Sequence, residues 1–281
     1  MPIHLELPPT FTDRLASSDH PLIGLWACAA SAVTAEIVAG SGCDWVLIDA
    51  EHSPNSLESL LAQLHAVSGY PVAPLVRPAF GDTVTIKQVL DLGVQNLLIP
   101  MVDSAAQATE VVRAVNYPPA GTRGVGSALA RSARWNRVEG YLGQARDTIS
   151  VTVQIESAAA VAAVEEIAAV DGVDALFVGP SDLAASLGYL GQQSHPEVVE
   201  SVLRSIEAGR AAGKPVGVNA FVTADADRYI AAGAAFVAVG ADVAMLARQS
   251  EALVERFRSA HQHAADPHAA QSPSNTPRAS Y

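Results

Sequence analysis

The chain has 281 residues, 49% of them apolar, and its 17 Lys and Arg against 29 Asp and Glu give a formal net charge of -12. That length suits one large domain or two ordinary ones with an ample core, which excludes disorder of the whole chain, and the acidic balance repels nucleic acid and anionic membrane. Cys28 and Cys43 lie outside any CxxC or Cys/His cluster, which excludes a disulfide framework and a structural zinc site and fits a reducing cytoplasm.

The first twenty residues have no basic leader followed by an apolar run, so they read as an extension ahead of a domain at 21–259. No segment approaches the roughly 20 unbroken apolar residues of a membrane span. A strand is expected at Leu22 to Ala27 and a helix at Ala32 to Ala39, and this alternation then repeats along the chain. Helices follow at Leu57 to Val67, Thr83 to Leu92, Ala105 to Val115, Ala158 to Ala169, Pro196 to Ala212, Ala224 to Ala232 and Val243 to Ser259. Ser56, Asp82 and Ser104 are N-cap types, and Ser104-Ala-Ala-Gln107 has the spacing of a capping box. Four strands share one phrase, in which a helix-ending glycine (Gly42, Gly93, Gly172 or Gly233) leads through a short turn into a buried run. Further strands fall at Val72 to Arg77, Ser150 to Ile155 and Pro215 to Val218. Eight strand-helix pairs in roughly 240 residues predict an α/β fold of the (β/α)8 TIM-barrel type. A doubly wound open sheet is the alternative, weakened because no GxGxxG follows the first strand. Residues 260–281, rich in Pro, Ser and Ala, read as a disordered tail in which His261, His263 and His268 are solvated rather than metal ligands.

In such a barrel the reactive groups sit at the carboxyl ends of the strands. Strand two ends in Asp49-Ala-Glu51-His52, strand three in Arg77-Pro78, strand five in Gln154-Ile-Glu156 and strand six in Gly179-Pro-Ser181-Asp182. Carboxylates directly after apolar strands are costly unless paired or bound to a cation, so Glu156 and Asp182 read as ligands of Mg²⁺ or Mn²⁺, with helix capping as the alternative for each. Arg77 could fork onto a substrate carboxylate or carbonyl and steady an enolate; a salt bridge to Asp49 or Glu51 is compatible with that role. His52 is the expected general acid/base, with Asp49 orienting its ring. Arg77→Ala is expected to end the chemistry with little loss of fold. The two lysines, Lys87 inside a helix and Lys214 before strand seven, are badly placed for Schiff-base chemistry. Arg123, Arg131, Arg134 and Arg137 fall in the long connection Asn116 to Gln144, which reads as an anion-attracting gate or a subunit contact.

These motifs, with Tyr-Pro-Pro-Ala-Gly-Thr-Arg-Gly-Val-Gly and Lys-Gln-Val-Leu-Asp91-Leu-Gly, resemble the class II pyruvate aldolases of the HpcH/HpaI family over Leu22 to Phe257. The resemblance implies a divalent metal (Mg²⁺, Mn²⁺ or Co²⁺) on Glu156 and Asp182, Arg77 on the ketone oxygen, and His52 with Asp49 as the acid/base pair. Backbone amides near Gly179 and Ser181 would hold the pyruvate carboxylate, with Gln154 behind the metal ligands. It also implies a cytoplasmic homo-oligomer, commonly a hexamer built as a trimer of dimers, with the last helix exchanged between subunits and Asp91 near a neighbour's site. The activity implied is reversible cleavage of 4-hydroxy-2-oxo acids, such as 4-hydroxy-2-oxoheptanedioate, to pyruvate and an aldehyde, so the partners are a small 2-oxo acid and an aldehyde. A related lyase on a CoA thioester, a 2-keto-3-deoxy sugar acid aldolase and a non-catalytic barrel are the alternatives. Two departures from the family pattern are Ala50, where glycine is usual, and Asn219-Ala-Phe221 after strand seven, the second of which would reshape the aldehyde end.

Overall fold

A computed structural model describes residues 3–265. Eight parallel strands close into a barrel in sequence order, each hydrogen-bonded to its neighbours and the last to the first. They are β1 (Leu22–Ala27), β2 (Trp45–Asp49), β3 (Ala73–Arg77), β4 (Asn96–Ile99), β5 (Ser150–Ile155), β6 (Ala175–Val178), β7 (Val216–Asn219) and β8 (Phe236–Ala241). The predicted eightfold alternation is therefore present, and the open sheet is excluded. Gly42, Gly93, Gly172 and Gly233 all have φ between 85° and 98°, the left-handed geometry that admits the turn from helix to strand.

The helices are α1 (Phe11–Ser17), α2 (Ala32–Ala39), α3 (Leu57–Val67), α4 (Thr83–Asp91), α5 (Ala105–Val115), α6 (Tyr141–Gln144), α7 (Ala158–Ala162), α8 (Val164–Ala168), α9 (Pro180–Ser186), α10 (Pro196–Ala211), α11 (Thr223–Ala231) and α12 (Asp242–Ala265). Ser56, Asp82 and Ser104 cap their helices as expected. The box at Ser104 is altered, because Gln107 Oε1 accepts the N–H of Asp103 rather than that of Ser104. The single helix expected over Ala158 to Ala169 breaks at Ala163, where no Gly or Pro marks the interruption. α12 runs past Ser259 to Ala265, since the next residue incompatible with a helix is Pro267. The rest of the expected tail, with His268, lies outside the described residues. Among those described, no helix is long and apolar enough to cross a membrane.

Alternation along each strand divides the core into two layers. Val46, Ile48, Val76, Leu97, Val153 and Val178 face the surrounding helices. Trp45, Leu47, Leu75, Leu98, Phe177 and Phe236 fill the barrel interior, where Trp45 and Phe236 meet edge to face at 5.7 Å. Gly24 and Gly217 make room for these rings, since a Cβ on either would fall about 2 Å from Trp45 or Phe236.

The sequence reading left α1 unassigned, because seven residues are too few to show a period. Thr10 and Asp13 form its capping box, and Phe11 is fully buried against Trp45 and Phe236. The Phe11 N–H donates to Asn96 Oδ1 at 2.6 Å, so α1 plugs the amino-terminal end of the barrel. Phe11→Ala should lower unfolding free energy by about 3–5 kcal/mol with an unchanged denaturant slope, measurable by urea titration.

Candidate active site

The alternation that fills the barrel also aims the site. Asp49 continues the inward row Trp45, Leu47; Arg77 continues Ala73, Leu75; Gly179 continues Ala175, Phe177. Asp49 and Arg77 are register partners on β2 and β3. With Trp26, Cys28, His52, Gln154, Ser181, Asp182, Asn219 and Phe221 they line one cavity of about 380 Å³ at the carboxyl ends of the strands.

Arg77 is buried and already paired. Its Nε donates to Asp49 Oδ1 at 2.8 Å, its Nη1 lies 2.9 Å from Glu51 Oε2, and its guanidinium carbon stacks 4.4 Å over the Trp26 ring. Nη2 makes no hydrogen bond to any described residue and remains for a ligand. Burial opposes charge on both partners, but the Arg77–Asp49 hydrogen bond and attraction prevail, leaving Asp49 below and Arg77 above their ordinary pKa values.

Asp49 does not orient the His52 ring. Oδ1 accepts from Arg77 and the Glu51 N–H, and Oδ2 accepts from the His52 N–H and Ser53 Oγ, so both oxygens are spent on Arg77 and on the turn after β2. The His52 side chain is 68% exposed at the mouth, its Nε2 3.9 Å from Glu51 Oε2.

Neither carboxylate of the candidate metal pair is a helix cap. Ser157 caps α7, and Gly179 holds the cap position of α9, with Asp182 in the first turn and without a hydrogen bond or ion pair to any described residue. Glu156 is buried; its Oε1 accepts from the Met101 N–H at 2.8 Å, and Oε2 accepts from Gln154 Nε2. Burial, then the charges of Asp182 and Glu51, raise its pKa to about 7 against the pull of the Met101 amide and Arg77. Two acidic groups thus repel one another, and the attraction of Arg77 only partly offsets that repulsion. Gly179 keeps the space beside Glu156 open, since a Cβ there would lie 2.7 Å from Glu156 Oε2 and 2.8 Å from Gln154 Nε2. Gln154 Oε1 is buried without a partner. A hard divalent cation suits this oxygen-rich, open donor set. Among the described residues no three His, Cys, Asp or Glu side chains form a closed cage, so solvent or substrate would complete the shell.

Gly179 N–H is taken by Ile155 O, which leaves the Ser181 and Asp182 amides at the start of α9 as the backbone donors for an anion. Asp91 lies at the other end of the barrel, 3.8 Å from Arg123. The connection after α5 lies at that end too, because it joins a helix to the following strand; it is not a gate over this chain's own cavity. Lys87 is on α4, and Lys214 Nζ donates to Val173 O before β6, so neither reaches the cavity.

Trp26 and the Met101 amide escaped the sequence reading. Trp26 was legible as the inward position after Leu22 and Gly24. Met101, at φ 55°, carries no side-chain signal, since its contribution is a backbone N–H.

Fold and site together define a parallel (β/α)8 barrel whose ionisable groups gather around one cavity at the carboxyl ends of its strands. A profile of the HpcH/HpaI aldolase/citrate lyase family matches residues 22–249, and the chain belongs to that family as a carbon–carbon lyase. It is 51% identical over 247 residues to the 4-hydroxy-2-oxo-heptane-1,7-dioate aldolase of Salmonella dublin, covering 88% of this chain and 94% of that one. Among solved structures it resembles a family protein from Burkholderia cenocepacia J2315 (40% identity, TM-score 0.84, 88% and 98% coverage). An HpcH/HpaI aldolase from Desulfitobacterium hafniense DCB-2 is also similar (28% identity, TM-score 0.81, 89% and 97% coverage).

Because Arg77 neutralises two partly or wholly buried carboxylates, Arg77→Ala should cost about 3–5 kcal/mol in a denaturant melt, contrary to the mild effect expected from sequence. The raised Glu156 pKa fixes a second sign. In the cation-free protein its contribution to stability is lost as pH rises from 4.5 through about 7. Mn²⁺ affinity, read by titration, should weaken by up to about tenfold per pH unit below that value as protons compete for the carboxylate.

Proposed function

We propose that the protein cleaves 4-hydroxy-2-oxo acids, 4-hydroxy-2-oxo-heptane-1,7-dioate among them, reversibly to pyruvate and an aldehyde. The observation that carries this reading is Asp182 and the unspent Nη2 of Arg77 in one cavity, with the buried carboxylate of Glu156 near enough for the charges of both to act on it. Glu156 and Asp182 would hold Mg²⁺, Mn²⁺ or Co²⁺, which when bound supplies Lewis-acid polarisation of the 2-oxo group. The Ser181 and Asp182 amides receive the substrate carboxylate, and Gln154 fixes the orientation of Glu156. His52 accepts the 4-hydroxyl proton as the C3–C4 bond breaks, and Arg77 stabilises the negative charge that develops on the 2-oxo oxygen. Asp49 serves by holding Arg77 and the turn that presents His52. Protonation at C3 then gives pyruvate.

The reading extends to a cytoplasmic homo-oligomer, a hexamer as trimer of dimers, with α12 exchanged. Exposed Val243, Leu246, Leu253, Val254 and Phe257 along that helix support a covering by a second copy. Asp91, remote from its own cavity, would then approach a neighbour's.

Pyruvate release from the heptanedioate, coupled to lactate dehydrogenase, tests the activity. Chelator should abolish it and Mn²⁺ restore it, whereas pyruvate release undiminished after chelation would remove the metal from the proposal. Glu156→Ala with Asp182→Ala should lower the rate at least about 10²–10³-fold. His52→Ala should slow cleavage about 10²–10⁴-fold while leaving pyruvate binding near wild type by calorimetry.

A further inference from the structure

A second cavity, of about 490 Å³, lies at the opposite end of the barrel, away from every group assigned to the reaction. Its walls are the segment Glu6 to Pro9, the end of α3, the starts of β3 and β4, and three arginines: Arg14, Arg131 and Arg134. Arg131 and Arg134 are half-buried, and their Nη1 atoms crowd one point. A Cβ on Gly93 would lie 2.5 Å from Arg134 Nη1 and 2.9 Å from Arg131 Nη1.

Buried guanidinium groups are normally matched by carboxylates. Here Arg131 Nη1 donates to Leu92 O and Arg134 Nη1 to Arg131 O, while Arg14 Nη1 donates to Pro71 O. None of the three forms an ion pair with any described carboxylate. The nearby Asp91 has Arg123 and Lys87 as its charge partners, and Glu6, exposed at the rim, is the one acid in the lining. Burial, then the neighbouring charge of Arg134, pushes the Arg131 pKa down to about 10. In a chain of net charge -12, this pocket is a local reversal of sign.

We propose that this cavity is a binding site for a small doubly charged oxyanion, a phosphate or a dicarboxylate, gripped by Arg131 and Arg134 with Arg14 at its edge. The pairing has a chemical logic, since each guanidinium keeps donors beyond the one that holds a backbone carbonyl, and those donors match an oxyanion in a fork. The anion supplies the counter-charge that the chain omits, and it ties the Glu6 to Pro9 segment and the loop carrying both arginines to the barrel floor.

The test uses full-length protein titrated with inorganic phosphate and, separately, malonate at constant ionic strength. Calorimetry should show one saturable site, and the double substitution Arg131→Gln with Arg134→Gln should weaken it at least about tenfold. Equal affinity in wild type and variant places the binding elsewhere and overturns the proposal. His65 provides a readout that needs no variant, because burial and then the charges of Arg131 and Arg134 hold its imidazole pKa down. Filling the site should raise that pKa in an NMR titration, and a pKa unmoved at saturating phosphate overturns the proposal even if the double variant fails to fold. Phosphate binding that appears only when an oligomer is dissociated assigns the arginines to an acidic group of a second copy, which also overturns it.

Discussion

The ion pair between Asp49 and Arg77 organises everything at the carboxyl end of this barrel. It joins the tips of two neighbouring strands in register, in a setting where an unpaired charge of either sign would be costly. The remaining Asp49 oxygen gathers the turn that carries His52, and the remaining Arg77 nitrogens reach Glu51 and the open cavity. Three site residues thus depend on one buried contact. Its partners are fixed by the inward alternation that also packs Trp45 and Leu75.

Opposite that pair, on β5 and α9, the electrostatics run the other way. Glu156 is crowded by Asp182 and Glu51, with Arg77 too engaged to neutralise all of them. An apolar strand ending in a buried acid with a raised pKa is an unfavourable arrangement in isolation, and it becomes favourable once a cation occupies the space kept clear by Gly179. On the proposed reading, that cost to the fold would be recovered when the site takes up its metal.

Much of this was legible in the residue order because barrel geometry leaves little freedom. Once eight strands are placed, the residues at their ends must meet, and Asp49, Arg77, Gln154 and Asp182 do line one cavity. Sequence spacing failed where backbone atoms or competing partners decide the outcome. His52 and Asp49 sit three apart, yet the Asp49 oxygens go to main-chain N–H groups, and nothing in the order of residues reveals that preference. Met101 acts through a main-chain donor that any residue type carries. The helix at Phe11 is too short for periodicity, and its capping box became meaningful only beside the ring it buries.

That helix has a consequence for traffic through the enzyme. With Phe11 wedged under Trp45 and Phe236, the barrel is a blind well with one entrance. Under the cleavage proposed above, substrate and both products would pass through the mouth lined by His52 and Phe221.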